Sequence, residues 1–353
     1  MYKITELFKM INENGASDLH LCVGIPPMMR VHGELKELGE KVLTGDDLLT
    51  MIKEVLPGDK AGLIDEAGDT RDLKDIDLGI EVELAGRFRT NIYHDKNGLA
   101  AAFRLIPNKI GTLEDLGLPE IVKSVFGMPS GLVLVTGVTG SGKSTTLASI
   151  IDKINSETRQ HIITVEDPIE YVHKHKKCIV NQRELGAHTG SFSDSLRSAL
   201  REDPDVILVG EMRDLETISM TITAAETGHL VFSTLHTRGA PQTVDRMIDV
   251  FPPHQQSQIR LQLADVLVMT ISQLLLPSAD GKRMHLASEV MVGNSSIKAL
   301  IRDQKTHQIA SAIQMGGNIG MQTLDASLKA LSAAGKISKD IAQQWMMDKP
   351  KTA

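Results

Sequence analysis

The chain has 353 residues, 41% of them apolar and 24% charged, a balance that argues against disorder and allows two domains. Its 38 basic against 45 acidic residues leave a net charge of −7, so nothing global draws it to nucleic acid or an anionic membrane surface. There is no apolar run of the ~18–20 residues that cross a bilayer and no secretory leader, and Cys22 and Cys178 stand alone. The expectation is a cytoplasmic protein with no transmembrane segment, two reduced thiols and no direct nucleic-acid partner.

Ile4, Leu7, Phe8 and Ile11 recur at helical spacing and Gly15 supplies a stop, which predicts an opening helix. Leu19–Val23 and Met29–Leu35 read as short strands divided by the Pro26-Pro27 turn. After Thr44-Gly45-Asp46-Asp47, the residues Leu48, Leu49, Ile52, Val55 and Leu56 form one apolar helix face. Alternation over Asp75–Val82 predicts a strand with one wet face, and Arg87–Tyr93 and Leu99–Ile106 continue the series. Residues 1–105 thus read as a small α+β domain with a mainly antiparallel sheet, and 106–119, rich in Gly, Pro, Asn and Asp, as a linker. From Gly131, short apolar runs (132–136, 162–165, 206–209, 230–235) alternate with helical segments, predicting an α/β core over 120–292 with a mostly parallel sheet. Past Val292 the periodicity is helical only, at 297–301, 307–314, 324–333 and 341–347, which marks 293–353 as a C-terminal helical region.

The chemistry is concentrated in the core. Gly137-Val138-Thr139-Gly140-Ser141-Gly142-Lys143-Ser144 satisfies the phosphate-binding loop pattern between a strand and a helix. Its glycines let successive amides converge on phosphate oxygens, and the positive end of the following helix adds to the attraction. Lys143 is expected on the β- and γ-phosphates of ATP and Ser144 on its Mg²⁺, with Thr145 closing the nucleotide-binding set. The strand at 206–209 ends in Gly210-Glu211, so Glu211 is the carboxylate at that tip, expected to serve the metal or its water. A second acidic group follows 162–165 in Glu166-Asp167-Pro168-Ile169-Glu170. Glu166 is the favoured general base and Glu211 the alternative for that role. His229 and His236 flank the strand at 230–235 and read as caps of its two ends, one near the γ-phosphate and one at a neighbour. Arg87, Arg89 and Arg104 form either a solvated face or arginine fingers that reach a phosphate across a boundary.

These motifs resemble those of the secretion-type ATPases of type IV pili and type II secretion, most closely the pilus retraction type. Thr164–Glu170 looks like that family's aspartate box, Leu208–Asp214 like its atypical Walker B, and Thr223–Val231 with Thr234–Thr237 like its histidine box. The likeness runs from Ser17–Leu21 and Pro26–Arg30 through Gly86–Arg89 to Gly320–Asp325. It implies a PAS-like N-terminal domain, a RecA-like core and a homo-hexameric ring with ATP completed by the arginines. It further implies active roles for His229 and His236. Coupling would pass through an inner-membrane platform protein to the pilus machinery, placing the chain peripherally at that membrane and implying twitching motility. One run departs from the pattern. Where the retraction type reads Ala-Ile-Arg-Asn-Leu-Ile-Arg-Glu, this chain has Ser296–Asp303, with Lys298, Ala299 and Asp303 replacing Arg, Asn and Glu. An accessory retraction motor is therefore the alternative expectation; an assembly ATPase is disfavoured, since two isolated cysteines cannot make that branch's four-cysteine zinc site.

Overall fold

The computed structural model describes residues 2–31, 33–56, 75–83, 85–106, 110–281 and 283–346. Residues 107–109 of the expected linker and the expected helix end at Met347 lie outside them. Two compact units emerge: Met1–Lys109 with Pro168–Val172, and Ile110–Asp167 with His173–Ala353.

In the first unit, helix α1 (Ile4–Glu13) has no side-chain cap and owes its stability to the stripe Ile4, Leu7, Phe8 and Ile11, all buried. Helix α2 (Gly45–Val55) begins instead at a capping box, in which the Thr44 hydroxyl accepts from the Asp47 amide and the Asp47 carboxylate accepts from the Thr44 amide. Strands β1 (Asp18–Cys22), β2 (Met28–Val31), β3 (Glu34–Glu37), β4 (Ile76–Val82), β5 (Gly86–Asp95) and β6 (Gly98–Ile106) form one sheet in the order β3-β2-β1-β6-β5-β4, and its pairs are antiparallel. Both helices pack into a core in which Phe8 stacks on Phe88 at 4.3 Å and meets Phe103 edge-on at 5.1 Å. Each such ring, fully buried, contributes roughly 2–3 kcal/mol.

The strand expected over Met29–Leu35 is a hairpin. Gly33, with φ of 87°, takes the left-handed conformation that reverses the chain between β2 and β3, and Val31 faces Glu34 across the turn. Leu35, the one apolar residue of the exposed second arm Glu34–Glu37, let the expected strand run past the turn.

The second unit opens with a capped helical turn, α3 (Leu113–Leu116), inside the stretch expected to be linker; Leu113 is buried. Its sheet comprises β7 (Gly131–Thr136), β8 (His161–Glu166), β9 (Ile179–Glu184), β10 (Val206–Val209), β11 (Leu230–Leu235), β12 (Leu267–Pro277) and β13 (Met284–Val292). The order is β13-β12-β7-β11-β10-β8-β9, and all neighbours run parallel except β12 and β13. Alternate residues serve opposite faces. Leu132, Leu134, Ile207, Val209 and Val231 join the core under α6 (Leu215–Glu226), α7 (Ala240–Asp249) and α8 (Pro253–Val266). Val133, Val135, Val206, Leu208 and Phe232 meet α4 (Lys143–Glu157) on the other side. This is the doubly covered parallel sheet that near-continuous apolar strands require. Helix α5 (Phe192–Ala199) precedes β10. Helices α9 (Ser295–Arg302) and α10 (Ile309–Met315) send Ile297, Ile301, Ile309 and Ile313 into the first of these cores. Helices α11 (Leu324–Ala333) and α12 (Lys339–Trp345) close a small cluster over Leu274, Leu276 and Ala287. Strands β9, β12 and β13 and helices α7 and α8 are additions to the elements expected from sequence; α8 carries no clean apolar period, whereas Ala240, Val244, Met247 and Ile248 give α7 one that was available.

Candidate active site

Parallel strands end on the same edge of a sheet, and four of them deliver a candidate group there. Strand β7 runs into the glycine loop, whose first amide, Gly137 N, donates to Leu235 O at the tip of β11 (3.3 Å). A Cβ at position 137 would lie 2.5 Å from both Gln273 O and Ser141 Oγ, and φ there is +146°, so only glycine fits. Gly142, with φ of +87°, starts α4. Lys143 is buried, and its Nζ donates to Gly137 O (2.9 Å) and Val138 O (3.2 Å), which folds the side chain back over the loop. Gln273 of β12 donates to Thr146 Oγ1 in α4 at 2.7 Å, which ties the start of that helix to the sheet.

The donor set is one for a polyphosphate. It combines a cation, the amino end of a 15-residue helix, the hydroxyls of half-buried Ser144 and Thr145, and the buried Ser141 Oγ, which has no hydrogen-bond partner among the described residues. Among the described residues no group of three or more His, Cys, Asp or Glu gathers into a metal site. A magnesium ion held by Ser144 and nucleotide oxygens needs none.

Glu166, half-buried at the tip of β8, accepts from Thr164 Oγ1 (2.7 Å) and from Gln182 Nε2 (3.2 Å), both on Oε1. The Gln182 amide is fixed in orientation, because its own Oε1 accepts from the His173 backbone N–H at 2.7 Å. Glu211 lies one strand away. Gly210 N donates to Val165 O (2.8 Å), and a Cβ on Gly210 would stand 3.2 Å from that oxygen and 3.3 Å from Glu166 Cα. A side chain at position 210 would therefore press on the tip of β8, and glycine avoids that contact where the two acidic strand tips lie side by side.

Both oxygens of Glu211 are engaged: Oε2 by Arg213 Nη2 at 2.8 Å, Oε1 by His236 Nε2 at 3.1 Å. Burial pushes its carboxyl up, but the hydrogen bond and charge of Arg213, with His236 and Lys143 behind them, outweigh burial and hold it below the ordinary carboxylate range.

His236 thus joins the P-loop edge, at the tip of β11. His229 does not. It precedes the same strand at the opposite edge, where its carbonyl accepts from Gly131 N (3.0 Å) and its Nδ1 meets Ala224 O (2.8 Å) and Thr227 Oγ1 (3.2 Å). A six-residue strand, about 20 Å, separates it from this chain's own loop. The expectation of a histidine at each end of β11 holds, but only one end faces the phosphate loop.

In the first unit, Arg89 and Arg104 are cross-strand partners and Arg87 lies two residues along, so all three share one sheet face. Arg104 Nε donates to Asp18 Oδ1 at 2.8 Å. Burial raises the Asp18 carboxyl, but hydrogen bonds from Ser17 and Arg104 overcome this and keep it low. Arg89 is exposed. Thr164 and Arg213 stood inside the motifs expected from sequence but carried no role there, and Gln182 was not among the expected site residues. An arginine two residues past the strand tip was a usable signal for Arg213, whereas Gln182 stands on the unrecognised β9.

Comparison with known proteins places this geometry. The family described as "Type II/IV secretion system protein" matches residues 80–299. The chain is 49% identical to the type IV pilus retraction ATPase PilT of Pseudomonas aeruginosa over 97% of each chain. It is 36% identical to the type IV pilus ATPase PilU of the same organism, over 96% of this chain and 87% of that one. A crystal structure of the pilus retraction motor PilT with bound ADP superposes with a TM-score of 0.90 at 45% identity, covering 99% of this chain and 98% of that one. The fold is therefore that of an N-terminal α+β domain followed by a RecA-like ATPase core, the chain is an ATPase, and it belongs to the PilT-type pilus retraction ATPases of the type II/IV secretion family.

Proposed function

We propose that this chain is one subunit of a homo-hexameric, Mg²⁺-dependent motor that retracts a type IV pilus and so drives twitching motility. The observation that carries the reading is the convergence of the glycine loop, Lys143, Glu166 and Glu211 on one sheet edge, in a chain 49% identical to a pilus retraction ATPase. Backbone amides of 137–145, the amino end of α4 and Lys143 bind and orient the ATP phosphates, and Ser144 holds the magnesium ion. Glu166 acts as general base, its carboxylate steered by Thr164 and Gln182. Glu211, with its oxygens engaged by Arg213 and His236, would serve the metal or its water when the ion is bound. Arg87, Arg89 and Arg104 are the candidate fingers, and His229 belongs to a subunit boundary. No described helix is long and apolar enough to cross a membrane. The proposed place is therefore cytoplasmic, peripheral at the inner membrane through a platform protein of the pilus machine, with no direct nucleic-acid contact. The proposed domain limits are 1–105, 106–119, 120–292 and 293–353.

An accessory motor is the second reading, because of the altered run Ser296–Asp303. Two contacts weaken it. Lys298 Nζ donates to Asp265 O at 2.8 Å, and Arg302 pairs with the Asp265 carboxylate, so both cations dock on the carboxyl end of α8. A single carbonyl needs a point donor, which lysine supplies as well as arginine.

Deleting the gene and complementing with Lys143→Ala separates the readings. A principal retraction motor gives hyperpiliated, immobile cells that this variant does not rescue. Normal retraction in the deletion strain means an accessory role, and bald cells mean assembly.

A further inference from the structure

Helix α7 lacks a cap of its own. Its N-cap is Gly239, which has no side chain, and Pro241 stands in its first turn. The amide of Ala240, the helix's first residue, is satisfied from elsewhere in the chain: it donates to Glu289 Oε1 of β13 at 2.7 Å. A serine at position 239 could have capped the helix locally. The fold instead commits a half-buried acid from an edge strand, with Asp325 as the other acidic group facing it. Burial pushes the Glu289 carboxyl up and Asp325 pushes it further, while the Ala240 hydrogen bond opposes both, so this acid is placed at the helix start against its own preference for water.

The bond's role follows from what lies on either side of it. Glu289 faces Ser272 on β12, Ser272 faces Thr136, and Thr136 faces Leu235, so one row of Cα partners crosses the sheet at the level where the glycine loop begins. Thr136 Oγ1 donates to Ser272 Oγ (2.9 Å) within that row. On the other side, the four residues before Ala240 are His236-Thr237-Arg238-Gly239, and His236 holds Oε1 of Glu211. The Thr237 and Thr243 hydroxyls are bonded at 2.7 Å, and Thr243 Oγ1 also donates to Gly239 O (2.8 Å), which stiffens this short segment.

We infer that Glu289 is a positioning residue for ATP hydrolysis: it anchors the segment 236–240 to the strand row beneath the P-loop and so sets His236 against Glu211. Its reach, rather than its charge, does the work, because one acceptor oxygen at the right place is all the Ala240 amide requires.

The test is steady-state ATPase kinetics of the full-length protein with Mg²⁺, together with nucleotide affinity from a fluorescent ATP analogue. Glu289→Ala lowers kcat ten-fold or more and leaves KM and analogue affinity within two-fold. Glu289→Gln, which keeps the acceptor, returns kcat to within three-fold of the parent. Glu289→Asp, one methylene short, does not, and it carries the test should the alanine variant fail to fold. The deciding measurement is the double variant. Where Glu289 acts through the histidine segment, His236→Ala/Glu289→Ala is no slower than His236→Ala within two-fold. Multiplied losses in the double variant, or unchanged kcat in Glu289→Asp, overturn the inference. The inference rests on the proposed role of Glu211, which its own glutamine variant tests separately: a parental kcat in Glu211→Gln removes that role, whereas multiplied losses in the double variant remove only the part assigned to Glu289.

Discussion

The two sheets of this protein carry their polar groups in different ways. In the parallel sheet of the second unit, each chemical group stands just past a strand end: the glycine loop after β7, Glu166 at the tip of β8, Glu211 after β10 and His236 after β11. In the antiparallel sheet of the first unit, neighbouring strands end on opposite edges, and the arginines sit mid-strand on one face at a spacing of two. A parallel sheet collects reactive groups along an edge because all its strands point the same way; an antiparallel sheet spreads them over a surface. The lesson is where to look: at strand tips in the first case, at alternate positions in the second.

That comparison can be broken. The largest effect belongs to the edge. Lys143→Ala lowers the ATPase rate by at least on the order of 10³-fold, about 4 kcal/mol, without lowering the thermal unfolding temperature. Loss of activity accompanied by unfolding would mean that the lysine serves the fold through Gly137 O and Val138 O instead.

Next is the core behind the arginine face. Phe8→Ala removes both ring contacts of the first unit and costs about 3 kcal/mol. Calorimetry should show the loss confined to one of two transitions, with nucleotide binding retained. A single cooperative transition that shifts as a whole would deny that the two units are energetically separate.

The arginines themselves sharpen the distinction between a face and a finger. Arg89→Ala is expected to lower kcat on the order of 100-fold without loss of stability. Arg104→Ala also removes the nearest cation from the buried Asp18 carboxylate, leaving it Ser17 Oγ at 2.7 Å and Arg30 at 3.9 Å, and costs an additional ~1 kcal/mol of stability. Equal, negligible effects of both on kcat would return the whole face to solvent.

A smaller effect concerns the loop after β8. His173 is buried with Nδ1 unpartnered among the described residues, and burial lowers its pKa to about 4. The unfolded chain therefore binds a proton near pH 6.5 that the native chain refuses until about pH 4. Stability is complete above pH 6.5 and falls with acidity across that window, by about 2 kcal/mol at pH 5. His173→Leu should flatten this segment of the stability–pH curve. An unchanged slope would remove His173 as its cause.

Much of the site was legible because its signals are local. A glycine loop between a strand and a helix, and carboxylates directly after apolar runs, are fixed by residues adjacent in the chain, and so are the periods of α1 and α2. What the sequence could not supply lies in pairings across long separations. The hairpin at Gly33 is set by the pairing of β2 with β3, a charged and exposed second arm. Gln182 meets Glu166 only because β9 lies beside β8. Glu289 reaches Ala240 across 49 residues.

The sequence by itself thus determined the phosphate loop, the acidic groups at two strand tips and the division into an antiparallel and a parallel region, since backbone geometry and burial period are properties of neighbouring residues. Only the tertiary structure decided which of two histidines stands at the loop, which side chains hold Glu211, and how closely position 210 approaches the tip of β8. Those outcomes depend on strand order and register, which are settled by packing the whole sheet rather than by any one segment.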